Sequence, residues 1–160
     1  ELPQIIRKSM ILVGGILIIL GAALGLTNYL IDEQVPMKML NFFKAHIVSP
    51  YLFLIVLNFF LLAVGCTMGI FSALTVVVPL ITPIAQAYGI HPVHLGIIFL
   101  TNLEIGASIP PLGINLFISS IRFEKPVLSL YVASLPFIAI LLFALAIITY
   151  VPWLSLALLK

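Results

Sequence analysis

From Ala45 to Leu103 the chain contains no Asp, Glu, Lys or Arg. A soluble domain carries about 25% charged residues, whereas this chain carries 8% and is 63% hydrophobic. The chain is therefore an integral membrane protein, and its turns must find their hydrogen-bond partners without help from bulk water. A net charge of +2 says little about partners. No segment resembles a basic nucleic-acid face.

Charges mark the segment ends, at Glu1–Lys8, Asp32–Lys44, Arg122–Lys125 and Lys160. Ser9–Ile31 reads as one spanning helix, since about 20 residues at 1.5 Å each cross a bilayer. Its Gly14, Gly15, Gly21, Ala22 and Gly25 suit close helix packing. "ELPQIIRK" before it reads as interfacial, and "DEQVPMKMLNFFKAHIVSP" after it as an amphipathic connection. A last span is expected near Leu130–Tyr150, with Pro152 and Trp153 at its interfacial end. Because the chain starts at Glu1 rather than Met, a piece of a longer polypeptide is expected. The apolar run after Lys8 is too long for a signal-peptide core. The lone Cys66 reports no redox compartment and reads as a packing residue.

Turn signals divide the long uncharged stretch. "SPYLFLIVLNFFLLAV" and "ALTVVVPLITPIAQAY" read as two helices, with Pro79 and Pro83 as kinks. "GCTMGIFS" separates them. At about 16 residues, roughly 24 Å, each falls short of a 30 Å hydrocarbon core. Pro50–Tyr88 is therefore expected to be a re-entrant hairpin with a buried tip, and two complete spans with a tight turn are the alternative. Placing Arg7 and Lys8 in the cytoplasm leaves Arg122 and Lys125 there too, with Lys38, Lys44 and Lys160 outside. Both readings have the same parity, so this rule does not separate them.

The segment after the turn "GIHP" breaks again, at "EIGASIPPLGIN", residues 104–115. A helix interrupted at membrane depth leaves unpaired carbonyls on its first half and unpaired N–H groups on its second. The first end suits a cation and the second an anion. Discontinuous helices of secondary transporters use both ends this way. Gly106 and Gly113 let the backbone bend near a ligand, and Pro110 and Pro111 keep the helix from re-forming. Ser108 and Asn115 add side-chain oxygens, while Gly65, Thr67, Gly69 and Ser72, the last as a helix N-cap, form a second set at the hairpin tip. Two such breaks could share one hard cation. A plain proline kink satisfied by neighbouring helices is the structural alternative.

Glu104 is the one acidic residue inside an apolar run, and such residues are functional by default. It reads either as a proton carrier or as an acceptor holding the N–H groups of the adjacent loop. His91 and His94 in "HPVH" lack further strong ligands nearby, so no transition metal is expected, and Asn58 reads as bonding a neighbouring helix, with ion or substrate contact as the alternative. Intramembrane hydrolysis would want a serine–histidine pair or paired aspartates, and no Walker-type phosphate loop is present. An enzyme is not expected.

"LNFFLLAVGCTMGIFSALTVVVPLITPIAQAYGIHPVHLGIIFLTNLEIGASIPPLGINLF", residues 57–117, carries a resemblance. It is similar to the C-terminal half of the large membrane subunit of TRAP transporters, the tripartite ATP-independent periplasmic carriers. "TPIAQAYGIHPVHLGII" and "NLEIGASIPPLGINLF" are specific in combination. The resemblance implies an all-α membrane protein of the bacterial inner membrane, half of an inverted-repeat, elevator-type transporter. It implies a sodium-driven importer of organic acids such as sialic acids and C4-dicarboxylates, with no cofactor beyond the coupling ions. The implied partners are a periplasmic substrate-binding protein, a small membrane subunit, separate or fused, the N-terminal half of the same permease, and membrane lipids. Residues 1–48 would be a scaffold-type helix and connection. Residues 49–121 would be transport-domain parts (hairpin 50–89, broken helix 93–121), and 122–160 a C-terminal helix. Sodium would sit largely on backbone oxygens of Gly65, Gly106, Ile109 and Leu112.

Two departures from the family pattern matter. Ile109 stands where the family usually has Thr, which removes a hydroxyl and leaves the carbonyl. Gly69, Ile70 and Phe71 stand where the hairpin tip often carries an acid, so substrate contacts of that acid do not transfer. The rival readings are a sodium/dicarboxylate symporter or ion antiporter of related fold, and a structural membrane subunit of a larger complex.

Overall fold

A computed structural model describes residues 2–110 and 113–157. Among the described residues there are eight helices: α1 (Leu2–Asp32), α2 (Val35–His46), α3 (Pro50–Thr67), α4 (Ile70–Ala87), α5 (Pro92–Gly106), α6 (Ile114–Phe123), α7 (Val127–Tyr150) and α8 (Pro152–Leu156). Pro36, Pro50, Pro92 and Pro152 each stand in the first turn of a helix, where the missing N–H is no loss. Four helices, α1, α3, α4 and α7, are long and apolar enough to cross a membrane.

α1 starts at Leu2, so "LPQIIRK", expected to be interfacial, is continuous with the first span. Nothing in that stretch breaks the helical ladder except Pro3, and Pro3 lies in the first turn. Gln34, left-handed at φ 54°, turns the chain into α2, which buries Pro36 and Leu40.

α3 and α4 each have 18 residues, about 27 Å of helix. The break between them is narrower than the glycines of "GCTMGIFS" suggest: only Met68 and Gly69 are extended. The ladder holds through Gly65, Cys66 and Thr67, and the Thr67 hydroxyl turns back to the Ala63 carbonyl at 2.9 Å. Ser72 is not the N-cap of the return helix. Gly69 takes that place, and its carbonyl accepts the Ala73 N–H at 3.0 Å. The far ends of the pair meet where Phe53 stacks on Tyr88 with ring centroids 4.5 Å apart. The Tyr88 hydroxyl donates to the Ile47 carbonyl at 2.7 Å, which ties this base to the connection before α3.

α4 runs through Pro79 and Pro83 without ending. Proline lacks the N–H that would close the i→i−4 bond, so Pro79 frees the Thr75 carbonyl. Thr27 of α1 is placed to fill the gap, its buried hydroxyl lying 2.7 Å from that oxygen and 2.9 Å from the Ala23 carbonyl of its own helix. The kink signal in the sequence is thus a bond between helices. The core lies among α2, α3, α4 and α5, with Phe53, Leu57, Leu61, Ala73, Val77, Ile81, Ile84, Ile98 and Phe99 at its centre. Outward faces of α1 and α7 are apolar and exposed, as a lipid-facing surface requires.

Candidate ion and substrate site

α3 and α5 run in the same direction: Asn58 meets Asn102, and further along Gly65 meets Gly106. Both helices then stop within a residue or two, α3 at Thr67 and α5 at Gly106. Their contact is backbone on backbone. A Cβ at Gly106 would fall 2.7 Å from the Gly65 Cα and 2.9 Å from the Leu62 oxygen. A Cβ at Gly65 would fall 2.9 Å from the Leu103 Cα. Neither position has room for a side chain. The two breaks that sequence placed far apart are joined at these glycines.

Two parallel helix C-termini side by side bring together two partial negative charges. The two ends differ in how their carbonyls are used. On α3 the Val64 oxygen accepts the Met68 N–H at 2.8 Å, while the Gly65, Cys66 and Thr67 oxygens accept no backbone N–H among the described residues. On α5 the turn folds back on itself. Leu103, Ile105 and Gly106 accept from Ala107, Ser108 and Ile109 at 2.9, 2.9 and 3.0 Å. The Ala107 oxygen accepts from the Asn115 N–H at 3.2 Å, across the break. The Asn115 side chain reaches the Ser108 hydroxyl at 3.2 Å.

Each residue expected at the site can be placed against this geometry. Gly65 and Gly106 touch. Ile109, half-buried, lies in the turn, and its oxygen would sit 2.9 Å from a Cβ on Gly113. Gly113 caps α6, and its oxygen accepts from Leu116 at 2.9 Å. Ser108 and Asn115 close the loop, and Pro110 is exposed. Pro111 and Leu112 lie outside the described residues. Thr67 spends its proton inside α3, and Ser72 lies within α4, its carbonyl accepting from the Thr75 hydroxyl at 3.1 Å. Glu104 is exposed beside buried Leu103 and Ile105. Among the described residues the N–H groups of Ala107, Ser108, Ile109 and Asn115 go to backbone carbonyls and not to Glu104.

His91 accepts the Val93 N–H at the start of α5. Buried His94 bonds Ser155 at 3.0 Å and the Thr149 carbonyl at 3.2 Å. Both histidines serve the packing of helix ends.

Two buried residues escaped the sequence reading. Asn102 donates to the Asn58 oxygen at 2.7 Å and to the Ile98 carbonyl at 2.8 Å. Thr149 of α7 accepts from the Asn58 amide at 3.2 Å. The signal was spacing. Asn58 lies seven residues before Gly65, and Asn102 four before Gly106, both same-face separations on a helix.

The family model "Tripartite ATP-independent periplasmic transporter, DctM component" matches residues 1–154. The chain is 37% identical over 158 residues to the C4-dicarboxylate TRAP transporter large permease protein DctM of Pseudomonas aeruginosa, covering 99% of this chain and 37% of that protein. It is 39% identical over 140 residues to the protein of the same name from Vibrio cholerae, covering 88% and 31%. It is 32% identical over 126 residues to the sialic acid TRAP transporter large permease protein SiaM of Vibrio cholerae, covering 79% and 30%. No solved structure matches the chain. The chain spans about a third of the length of these relatives, and it belongs to the DctM component family of tripartite ATP-independent periplasmic transporters.

Proposed function

We propose that this chain is the ion-coupled part of a sodium-driven importer of organic acids in the bacterial inner membrane. The observation that carries the reading is the meeting of two parallel helix C-termini at Gly65 and Gly106, with three α3 carbonyls that have no backbone donor among the described residues. A hard monovalent cation compensates those oxygens and the paired negative helix ends. The N-terminus of α4 follows the first break within a few residues, and its Ile70, Phe71 and Ser72 N–H groups have no backbone acceptor among the described residues, so they present the opposite sign. That pairing suits a carboxylate beside the cation. C4-dicarboxylates and sialic acid are named for the relatives, and both are carboxylates.

In this reading α3 and α4 form a re-entrant hairpin, α5 and α6 a discontinuous transmembrane helix, and α1 a scaffold helix. The hairpin and broken helix move together in an elevator motion. A periplasmic binding protein delivers the substrate, and a small membrane subunit braces the permease. Sodium is held by backbone oxygens at Gly65, Gly106 and Ile109, with Leu112 as the further member.

The test is uptake by the complete transporter with its binding protein in proteoliposomes. Uptake of a C4-dicarboxylate or sialic acid should follow an imposed sodium gradient and fail with potassium. Uptake that needs no binding protein would favour a stand-alone symporter. Equal thermal stability in sodium and potassium, with no uptake, would favour a structural subunit.

A further inference from the structure

Asn58, Asn102 and Thr149 form a polar cluster where α3, α5 and α7 meet. Asn102 and Thr149 are each 0% exposed. The cluster is not arranged for maximum stability, because the Asn102 Oδ1 is buried with no hydrogen-bond partner among the described residues. A buried unpaired acceptor is costly, and replacing both partners of such a bond with apolar groups is often neutral. A polar pair kept on those terms fits a role in specifying one arrangement over others, as single buried asparagines do in coiled coils.

The arrangement specified here is the register of α3 against α5. Asn58 and Gly65 share one face of α3, and Asn102 and Gly106 share one face of α5. A slip of one residue between the helices would break the 2.7 Å bond between the amides and separate the two glycines. The second Asn58 bond, to Thr149, fixes α7 to the same seam. The other buried residues of α3 and α5, Leu57, Leu61, Ile98 and Phe99 among them, are apolar and make no directional bonds across the seam.

We propose that the Asn58–Asn102 pair is a register clamp, a set of positioning residues that holds the two helix ends in the geometry a cation needs. The proposal rests on the ion-site reading above. The clamp touches neither ion nor substrate, and it acts through the glycine contact one to two turns away.

The informative variant is Asn58→Leu with Asn102→Leu in the complete transporter. Leucine matches asparagine in branching and in number of side-chain heavy atoms, so the seam stays filled and the double variant should still assemble in the membrane. The sodium concentration for half-maximal uptake should rise about five- to tenfold. Substrate half-saturation at saturating sodium should stay as in the wild type. Asn58→Asp, whose protonated acid both accepts from Asn102 and donates to Thr149, should keep the wild-type sodium dependence. A second readout is independent of sodium. With every other cysteine replaced, Cys66 at the end of α3 should react faster with a small maleimide in the double variant than in the wild type.

Unchanged sodium dependence together with unchanged Cys66 reactivity overturns the clamp. If wild-type uptake proves independent of sodium, the ion-site reading fails, and Cys66 reactivity alone decides the clamp.

Discussion

Gly65 and Gly106 approach so closely that a methyl group on Gly106 would lie 2.7 Å from the Gly65 Cα. Sequence gives each a separate reason to be glycine, as part of a local break. The structure gives them one shared reason, the crossing of two parallel helices with no side chain between.

Gly106→Ala should therefore force α3 and α5 apart at their ends. Overpacking of this kind costs about 1–3 kcal/mol. The assembled complex should remain in the membrane while sodium-driven uptake falls by about five- to a hundredfold, since 1.4 kcal/mol is a factor of ten. Uptake at the wild-type rate would remove the glycine contact from the transport site. Gly96→Ala is the control, because a Cβ there meets nothing within 4 Å.

Cys66 tests the hairpin. A re-entrant tip should shield it from a membrane-impermeant thiol reagent added on the cytoplasmic side in at least one transport state. Rapid labelling from that side in every state would show two full spans. Their 18-residue length alone is compatible with crossing the membrane.

At Ile109 the resemblance to the family implies a threonine in place of the isoleucine found here. Ile109→Thr adds an oxygen and keeps the β-branch suited to an extended pre-proline residue. A hydroxyl without a partner costs about 1–3 kcal/mol, and a sodium contact offsets this only when sodium is present. The variant should gain more thermal stability from sodium than the wild type does, and none from potassium. Equal losses in both salts would place the side chain at 109 in packing rather than beside the ion.

Thr27 and Pro79 make a pair that a double-mutant cycle can resolve. Thr27→Val leaves the Thr75 carbonyl unpaired and should destabilise the protein by about 1–3 kcal/mol. Pro79→Ala returns an N–H to that carbonyl, so Thr27→Val should cost little in its background. Equal costs in both backgrounds, measured by denaturant unfolding in detergent, would show that the bond is incidental.

The second break was legible because glycines and adjacent prolines in "GASIPPLG" leave a helix no way through. The first was legible in position but not in extent. Gly65 looks like a turn residue, yet it is helical and serves close approach, while Met68 joins Gly69 in the extended apex. Ser72 has good N-cap chemistry, but the helix had already begun at Ile70. Local preference ranks such candidates without choosing among them. Thr27 and Thr149 were invisible for a different reason. Their partners sit 48 and 91 residues away in sequence, and only packing brings them together.

The Gly65, Cys66 and Thr67 carbonyls, without backbone donors among the described residues, resist burial in hydrocarbon. Oxygens that lack donors can be satisfied by water at a membrane surface but not by hydrocarbon. Under the ion-coupled function proposed above, an unloaded tip would stay with whichever aqueous face wets it, and a tip whose dipoles are met by a bound charge would shed its water and cross, so that futile passage of the empty site would be resisted by dehydration itself, without a dedicated gate.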